Sequence, residues 1–285
     1  MCYFTDKDYV KKTKGTFPVE DLPLLGKALL KRALKFQIGC GKEPTLYKDL
    51  GKVIQLGKDY QVPYISMTTN ANLIEREELK NWCKSGLDEI TVSLHGTVKE
   101  TYEEMMGKGD FQKFFQTLRY ITEVKEEFPD FQLRVNYTFN EDNFNELVQF
   151  WSIFEGIKVD VLQIRPIKKL GNTTYSNFSI EKILPNYQEV CDLLKKECRE
   201  RKTTLMAPSL KQLQTDVSTA SVLHDFAYVY TSPTDFYKED FEWKKESYDQ
   251  YQNRKGFQKK IIGLLFSSNK KLQRLLSQKL NYEIS

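Results

Sequence analysis

The sequence predicts an α/β fold of parallel strands covered by helices, and three observations predict it. Short apolar, β-branched runs alternate with longer amphipathic stretches from about residue 19 to residue 165. The runs close on polar or glycine-bearing segments such as GCGKEP, TTNAN and SLHG, where an α/β fold keeps its chemistry. The 285 residues, 40% hydrophobic and 29% charged, suit one large domain or a domain with an appendage.

The elements follow in order. Amphipathic spacing predicts helix over Val19–Arg32, and the apolar run behind it predicts strand over Leu34–Ile38. Helix Tyr47–Tyr60, strand Tyr64–Thr68, helix Glu75–Ser85 and strand Glu89–Leu94 come next. Helix Phe111–Phe128, strand Gln132–Phe139, helix Asn143–Phe154 and strand Val159–Arg165 close the series. Strands that alternate with helices are parallel, because the connecting helix returns the chain to the same end of the sheet. Beyond Arg165 the pattern weakens: a loop at Pro166–Ser179 leads to a long charged helix, Ile183–Arg201. Residues 203–233 read as irregular, and no internal repeat is visible. The expected division is therefore a core over residues 1–202 and an extension over residues 203–285.

Several function classes are excluded early. No run of 18 apolar residues exists, so neither a transmembrane helix nor a membrane partner is expected. The start lacks the charged, apolar and small-residue order of a signal peptide. Five scattered cysteines (Cys2, Cys40, Cys83, Cys191, Cys198) form no disulfide framework, and a reducing cytoplasm is the expected location. A net charge of +4 is too mild to argue for nucleic acid. With only His95 and His224, His-rich zinc sites and Ser-His-Asp chemistry are not expected.

The strand ends carry the functional signal. After Leu34–Ile38 comes GCGKEPTLY, which lacks the third glycine of a dinucleotide loop and holds Pro44 there instead. The next strand ends in Thr69-Asn70, with no acidic ribose ligand. Glu43 remains as a carboxylate on a strand-end turn, suited to a cationic ammonium or simply to solvent. Helix capping explains one polar residue of TTNAN, not four. Period two places Ser93 and His95 on one face of ITVSLHG, and Arg134, Asn136 and Thr138 on one face of Gln132–Phe139. Polar residues recurring inside strands need partners if buried, and a polar ligand across the strand ends supplies them. Composition and periodicity stop at a barrel-like α/β domain that binds a polar small molecule.

The order of these stretches, MCYF, IGCGKEPTLY, ISMTTNANLI, GLDEITVSLHG with ETYEEMMGKGDFQKFFQTL, and RVNYTFNEDN, resembles the radical S-adenosylmethionine (SAM) superfamily over roughly residues 1–170. The resemblance implies a partial (β/α)6 TIM-like barrel lacking its first strand, with a mostly helical or irregular C-terminal extension. In that family a Cys-x3-Cys-x2-Cys loop holds a [4Fe–4S] cluster through thiolates. Cys2, followed by Tyr3 and Phe4, matches the last of the three, so two more cysteines and the first strand are expected upstream of Met1.

The resemblance further implies that Gly41, Cys40 and Glu43 lie beside the methionine amino group of SAM, with Thr69 and Asn70 at the polar end of the next strand. Ser93 and Asn136, with Arg134 as a further candidate, match positions at the SAM ribose or carboxylate, and backbone near Ile164–Pro166 faces adenine. The implied reaction is one-electron cleavage of SAM at the cluster. The resulting 5′-deoxyadenosyl radical abstracts hydrogen from an unidentified small molecule or peptide. An external reductant such as flavodoxin or ferredoxin is implied with it. Residues 203–285 hold no cysteine, so no auxiliary cluster is expected. Two alternatives stand beside this reading. One is a non-catalytic relative that binds SAM, a peptide or a partner protein. The other is a sugar-phosphate barrel enzyme using Leu170-Gly171-Asn172. Lys168 and Lys169 are candidates for an anionic substrate. Aromatics at Tyr228, Tyr230, Phe236, Phe241 and Trp243 are expected to cover the barrel. The basic tail is expected as a helix docked on it, with acidic lipid or nucleic acid as the other options.

Overall fold

The computed structural model of the chain describes residues 15–39, 41–107, 109–167, 178–214, 228–233, 240–269 and 283–284. Cys2, Cys40, Lys168, Lys169, Leu170-Gly171-Asn172, His224 and Phe236 therefore lie outside the described residues.

Strand β1 (Lys35–Ile38) begins a sheet whose order follows the chain: β2 (Tyr64–Thr69), β3 (Glu89–Leu94), β4 (Gln132–Phe139), β5 (Val161–Pro166) and β6 (Thr204–Ala207). Each pairs in parallel with its neighbour. A two-residue strand β7 (Glu283–Ile284) runs antiparallel against β6. Helices α1 (Leu22–Leu29), α2 (Leu50–Asp59), α3 (Arg76–Lys84), α4 (Lys99–Met106), α5 (Phe111–Glu127), α6 (Phe150–Ile153) and α7 (Leu184–Arg201) separate the strands, followed by α8 (Leu210–Gln214). This is an α/β fold in keeping with a partial TIM-like barrel.

Alternation along the strands gives the sheet two different faces. Ile90, Val92 and Leu94 of β3, Leu133, Val135, Tyr137 and Phe139 of β4, and Leu162 and Ile164 of β5 are fully buried. They join Leu79 of α3, Phe114, Leu118 and Ile121 of α5, Phe150 of α6 and Leu194 of α7 in one core. Each large side chain so buried contributes about 1.5–3 kcal/mol. The alternate positions are almost all polar. A barrel-like sheet turns this second face inward, away from the helices.

The starts of two strand pairs, β2–β3 and β4–β5, are each pinned by an aspartate. Asp88, ahead of β3, accepts the Ile65 amide at 2.7 Å and the Lys58 ammonium of α2 at 3.1 Å. Asp160, ahead of β5, accepts the Leu133 amide at 2.7 Å and pairs with Lys125 of α5. These charge-assisted bonds fix the register at the lower rim.

Several expectations are corrected. The first helix ends at Leu29, and the stretch expected as one helix over Asn143–Phe154 is a 3-10 run, Phe144–Gln149, continued by α6. Helix α4 was not expected. Its residues KETYEEMM carry a weak apolar stripe, yet Tyr102 and Met105 are buried. The region read as irregular from residue 203 contains β6, paired with β5, and α8. Four residues, TLMA, are too few to show an alternation.

The extension supplies α9 (Tyr248–Arg254) and α10 (Phe257–Leu265). A capping box at Ser247 and Gln250 starts α9. Phe241, Tyr251 and Phe257 pack on Ala28 of α1, with Trp243 and Tyr248 alongside. The expected aromatic cover is thus found at Phe241 and Trp243, over α1, while Tyr228 and Tyr230 are exposed and stacked on each other. Among the described residues no helix is long and apolar enough to cross a membrane.

Candidate functional site

The inward face orders its polar side chains in rows. At the bottom, Glu89 is 1% exposed and receives Arg134 at 2.7 and 3.1 Å, Tyr64 at 3.0 Å and Thr91 at 3.2 Å, with Lys35 at 3.8 Å. Burial opposes the carboxylate, but the Arg134 and Lys35 charges prevail and hold its pKa below the ordinary value of 4.5. Tyr64 responds in the opposite sense, its hydroxyl pushed up by burial and by the Glu89 charge. This network closes the lower end of the face. Above it, the strand register sets Ser93, Asn136 and Gln163 in one row. Thr138 and Arg165 form the next, joined by a 3.2 Å hydrogen bond, and His95 follows β3 at the same level.

Three buried polar atoms of this face have no hydrogen-bond partner among the described residues: Asn136 Oδ1 and His95 Nδ1 in the upper rows, and Ser66 Oγ beside Glu89 in the bottom row. Burial, aided by the charge of Arg165, pushes the His95 pKa down to about 3. The imidazole is therefore neutral at pH 7 and presents one donor and one acceptor nitrogen.

The loop after β1 forms the upper wall. Gly39 sits at φ +74°, and a Cβ there would meet the Thr68 carbonyl at 2.7 Å. Only glycine fits that approach. Glu43 then turns back over the sheet. Its Oε1 accepts from Thr45 N at 3.2 Å, Thr45 Oγ1 at 2.7 Å and Thr69 Oγ1 at 2.6 Å, and its Oε2 accepts from Asn70 N at 2.8 Å. The carboxylate is thus engaged by the protein itself and locks the Gly41–Tyr47 loop to the end of β2. Asn70 continues the network: its side chain accepts from Asn72 N at 2.9 Å, and Asn72 donates to the Tyr102 hydroxyl at 2.6 Å. Thr69→Val, which removes the shortest bond to Glu43, is expected to raise hydrogen exchange across residues 41–47 with little change in the sheet.

The structure therefore brings Glu43, Thr69 and Asn70 together, with Gly41 exposed on the same loop, and sets Ser93 beside Asn136. It does not bring Arg134 or the Ile164 side chain to them. Arg134 shares the face of Asn136 but lies one row lower, committed to Glu89. Ile164 points its side chain into the helix-side core, leaving only its backbone near the strand end. Sequence reasoning missed Ser66, Gln163 and Asn143. Ser66 and Gln163 were findable as further inward-facing positions of their strands. Asn143, fully buried, donates to the His95 carbonyl at 2.8 Å and the Thr138 carbonyl at 3.0 Å and accepts from Asn140 N at 2.7 Å. It ties the ends of β3 and β4 together.

The donor chemistry fits SAM better than it fits a metal. The unpaired Asn136 amide oxygen and His95 imidazole match the hydroxyls and ring nitrogens of SAM. Among the described residues no cluster of His, Cys, Asp or Glu is arranged for a metal ion. Cys83, Cys191 and Cys198 are buried within the helix-side core, where burial pushes Cys83 and Cys198 up to about 12 and Cys191 upward. Iron–sulfur ligation requires thiolates, so these three do not fit a cluster.

Known proteins resemble this chain in sequence and in fold. A probable GTP 3′,8-cyclase of Sulfurisphaera tokodaii is 25% identical over 207 residues, 70% of this chain and 64% of that protein. One from Saccharolobus solfataricus is 24% identical over 171 residues, 60% of this chain and 54% of that protein. The chain thus spans less than two thirds of the length of these curated relatives. Among solved structures, SuiB of Streptococcus suis bound to S-adenosylmethionine superposes with a TM-score of 0.53 at 19% identity, over 67% of this chain and 43% of that one. Methylornithine synthase superposes with a TM-score of 0.50 at 13% identity, over 72% and 58%. The family model of the radical SAM superfamily matches residues 1–149, which hold the loop, the Asn-rich turn and the β3 and β4 rows, and the chain belongs to that superfamily.

Proposed function

We propose that the inward face is the SAM site of a radical SAM enzyme. The observation that carries this is the pair of buried polar atoms in the upper rows, Asn136 Oδ1 and His95 Nδ1, left without a partner among the described residues. A buried group left unpaired costs about 1–3 kcal/mol, and a polar ligand removes that cost. SAM and a reduced iron–sulfur cluster, when bound, would supply radical chemistry for hydrogen abstraction. This chain's own residues do the rest. The Glu43-locked loop shapes the upper wall, Ser93, Asn136 and Gln163 orient the ligand, and the Glu89–Arg134 network closes the floor against water.

Cys2 is the residue proposed for the cluster. The substrate is a small molecule or peptide, and GTP, named for the curated relatives, is the first compound to test with SAM. A flavodoxin or ferredoxin is the proposed electron donor, in a cytoplasmic setting.

Calorimetric titration of the full chain with SAM tests the site. Asn136→Ala is expected to weaken binding by about 1–3 kcal/mol, roughly 5- to 150-fold. Unchanged affinity would overturn the assignment. Anaerobic reconstitution of the product of the whole reading frame, any cysteines encoded ahead of Met1 included, with iron and sulfide, followed by reduction, separates the two family readings. Release of 5′-deoxyadenosine marks the enzyme, whereas SAM binding without it marks the non-catalytic relative.

A further inference from the structure

The helix α10 turns its apolar side outward. Of its residues only Phe257 is buried, against Tyr251 and Ala28. Ile261 is 47% exposed, Ile262 53%, Leu265 75% and Phe266, which ends the helix, 85%. At 3.6 residues per turn these four fall within an arc of about 140°. Gln258, in the first turn, is the one polar residue of that arc. Lys259 borders the arc beside Phe266, while Gly263 follows it and Lys260 lies on the opposite side, over the Phe257 ring at 5.2 Å. The apolar residues on which the docked tail helix was expected, Leu272, Leu275, Leu276 and Leu280, lie outside the described residues.

We propose that this face docks on an anionic lipid surface. Between Arg254 and Lys279 the sequence carries eight basic residues and no acidic one. An apolar strip edged by Lys259 within a basic stretch fits a membrane interface, which offers hydrocarbon below and anionic headgroups above. A nucleic acid would satisfy the lysines but leave four apolar side chains against a phosphate backbone. A second copy of the chain would cover the strip but bring Lys259 of both copies together without acids to offset them. The anchoring of α9 and α10 on α1 places this surface outside the sheet, on elements that take no part in the SAM site, so it stands apart from that reading.

Flotation of the full chain with vesicles tests the proposal. Binding is expected with vesicles of phosphatidylglycerol and phosphatidylcholine in equal amounts, and not with phosphatidylcholine alone. Lys259→Gln with Lys260→Gln should weaken partitioning about fivefold per charge, roughly 25-fold together. Ile262→Ser with Phe266→Ser should weaken it by more than about tenfold, with an unchanged circular dichroism spectrum. No flotation with the anionic vesicles overturns the proposal, as does equal flotation with both kinds. A dimer in sedimentation that Ile262→Ser abolishes, without lipid binding, would assign the face to self-association instead.

Discussion

Arg134→Ala is expected to lower the folding free energy by about 3–5 kcal/mol, read from urea unfolding, because it strands a buried charge. Glu89 is 1% exposed, and Arg134 supplies two of its hydrogen bonds, at 2.7 and 3.1 Å. Lys35 at 3.8 Å cannot replace a bidentate guanidinium. The pH dependence follows from the direction of the Glu89 shift. Its folded pKa lies below 4.5, so the stabilisation is complete above that pH and is lost as pH falls through the lower folded value. The gap between wild type and Arg134→Ala should therefore be widest at neutral pH and shrink on acidification. A double variant, Glu89→Gln with Arg134→Met, should recover much of the loss, since it leaves no unpaired charge. A flat gap from neutral to acid pH would show that the pair does not carry the effect.

Asn143→Ala should cost about 2–4 kcal/mol, the sum of several buried groups left unpaired. The His95 and Thr138 carbonyls and the Asn140 amide each lose a partner inside a region with no exposed surface. Asn143→Asp keeps the shape but sets a carboxylate oxygen against two carbonyls, so it should be at least as damaging. The two variants together distinguish a hydrogen-bonding role from one of volume. If Asn143→Asp unfolds at the wild-type urea midpoint, the clamp between β3 and β4 is not what holds these strand ends.

Much of this was legible before the structure. Strands β2, β3 and β4 fall within one residue of their expected spans, because each is long enough to alternate and is bounded by turn residues. The strand-end segments were legible as polar clusters in a fixed order. Depth was not. Period two places Arg134 and Asn136 on one face, but nothing local says that Arg134 will find Glu89, 45 positions earlier, and leave the site. Glu43 read as a free carboxylate because its partners Thr69 and Asn70 come from another strand. Asn143 bonds to backbone carbonyls, which have no sequence signature. The outward turn of α10 was hidden for a different reason: an apolar stripe marks amphipathicity but not which side meets the protein.

The two aspartate clamps at the lower rim have a consequence for how the sheet is assembled. Lys58 of α2 meets Asp88 ahead of β3, two strands before Lys125 of α5 meets Asp160 ahead of β5. In both cases the aspartate also takes the amide of the strand between, Ile65 or Leu133, whose carbonyl accepts the aspartate's own amide at 2.9 Å. The parallel extends to the opposite rim. Strand β2 runs out through Thr68-Thr69-Asn70 into a turn closed by Asn72, and β4 through Thr138-Phe139-Asn140 into a turn closed by Asn143. The β2–β3 and β4–β5 halves of the sheet are therefore fastened in the same way. Identical fastenings below let the halves diverge above, where one turn secures the Glu43 loop and the other binds two strands into one edge.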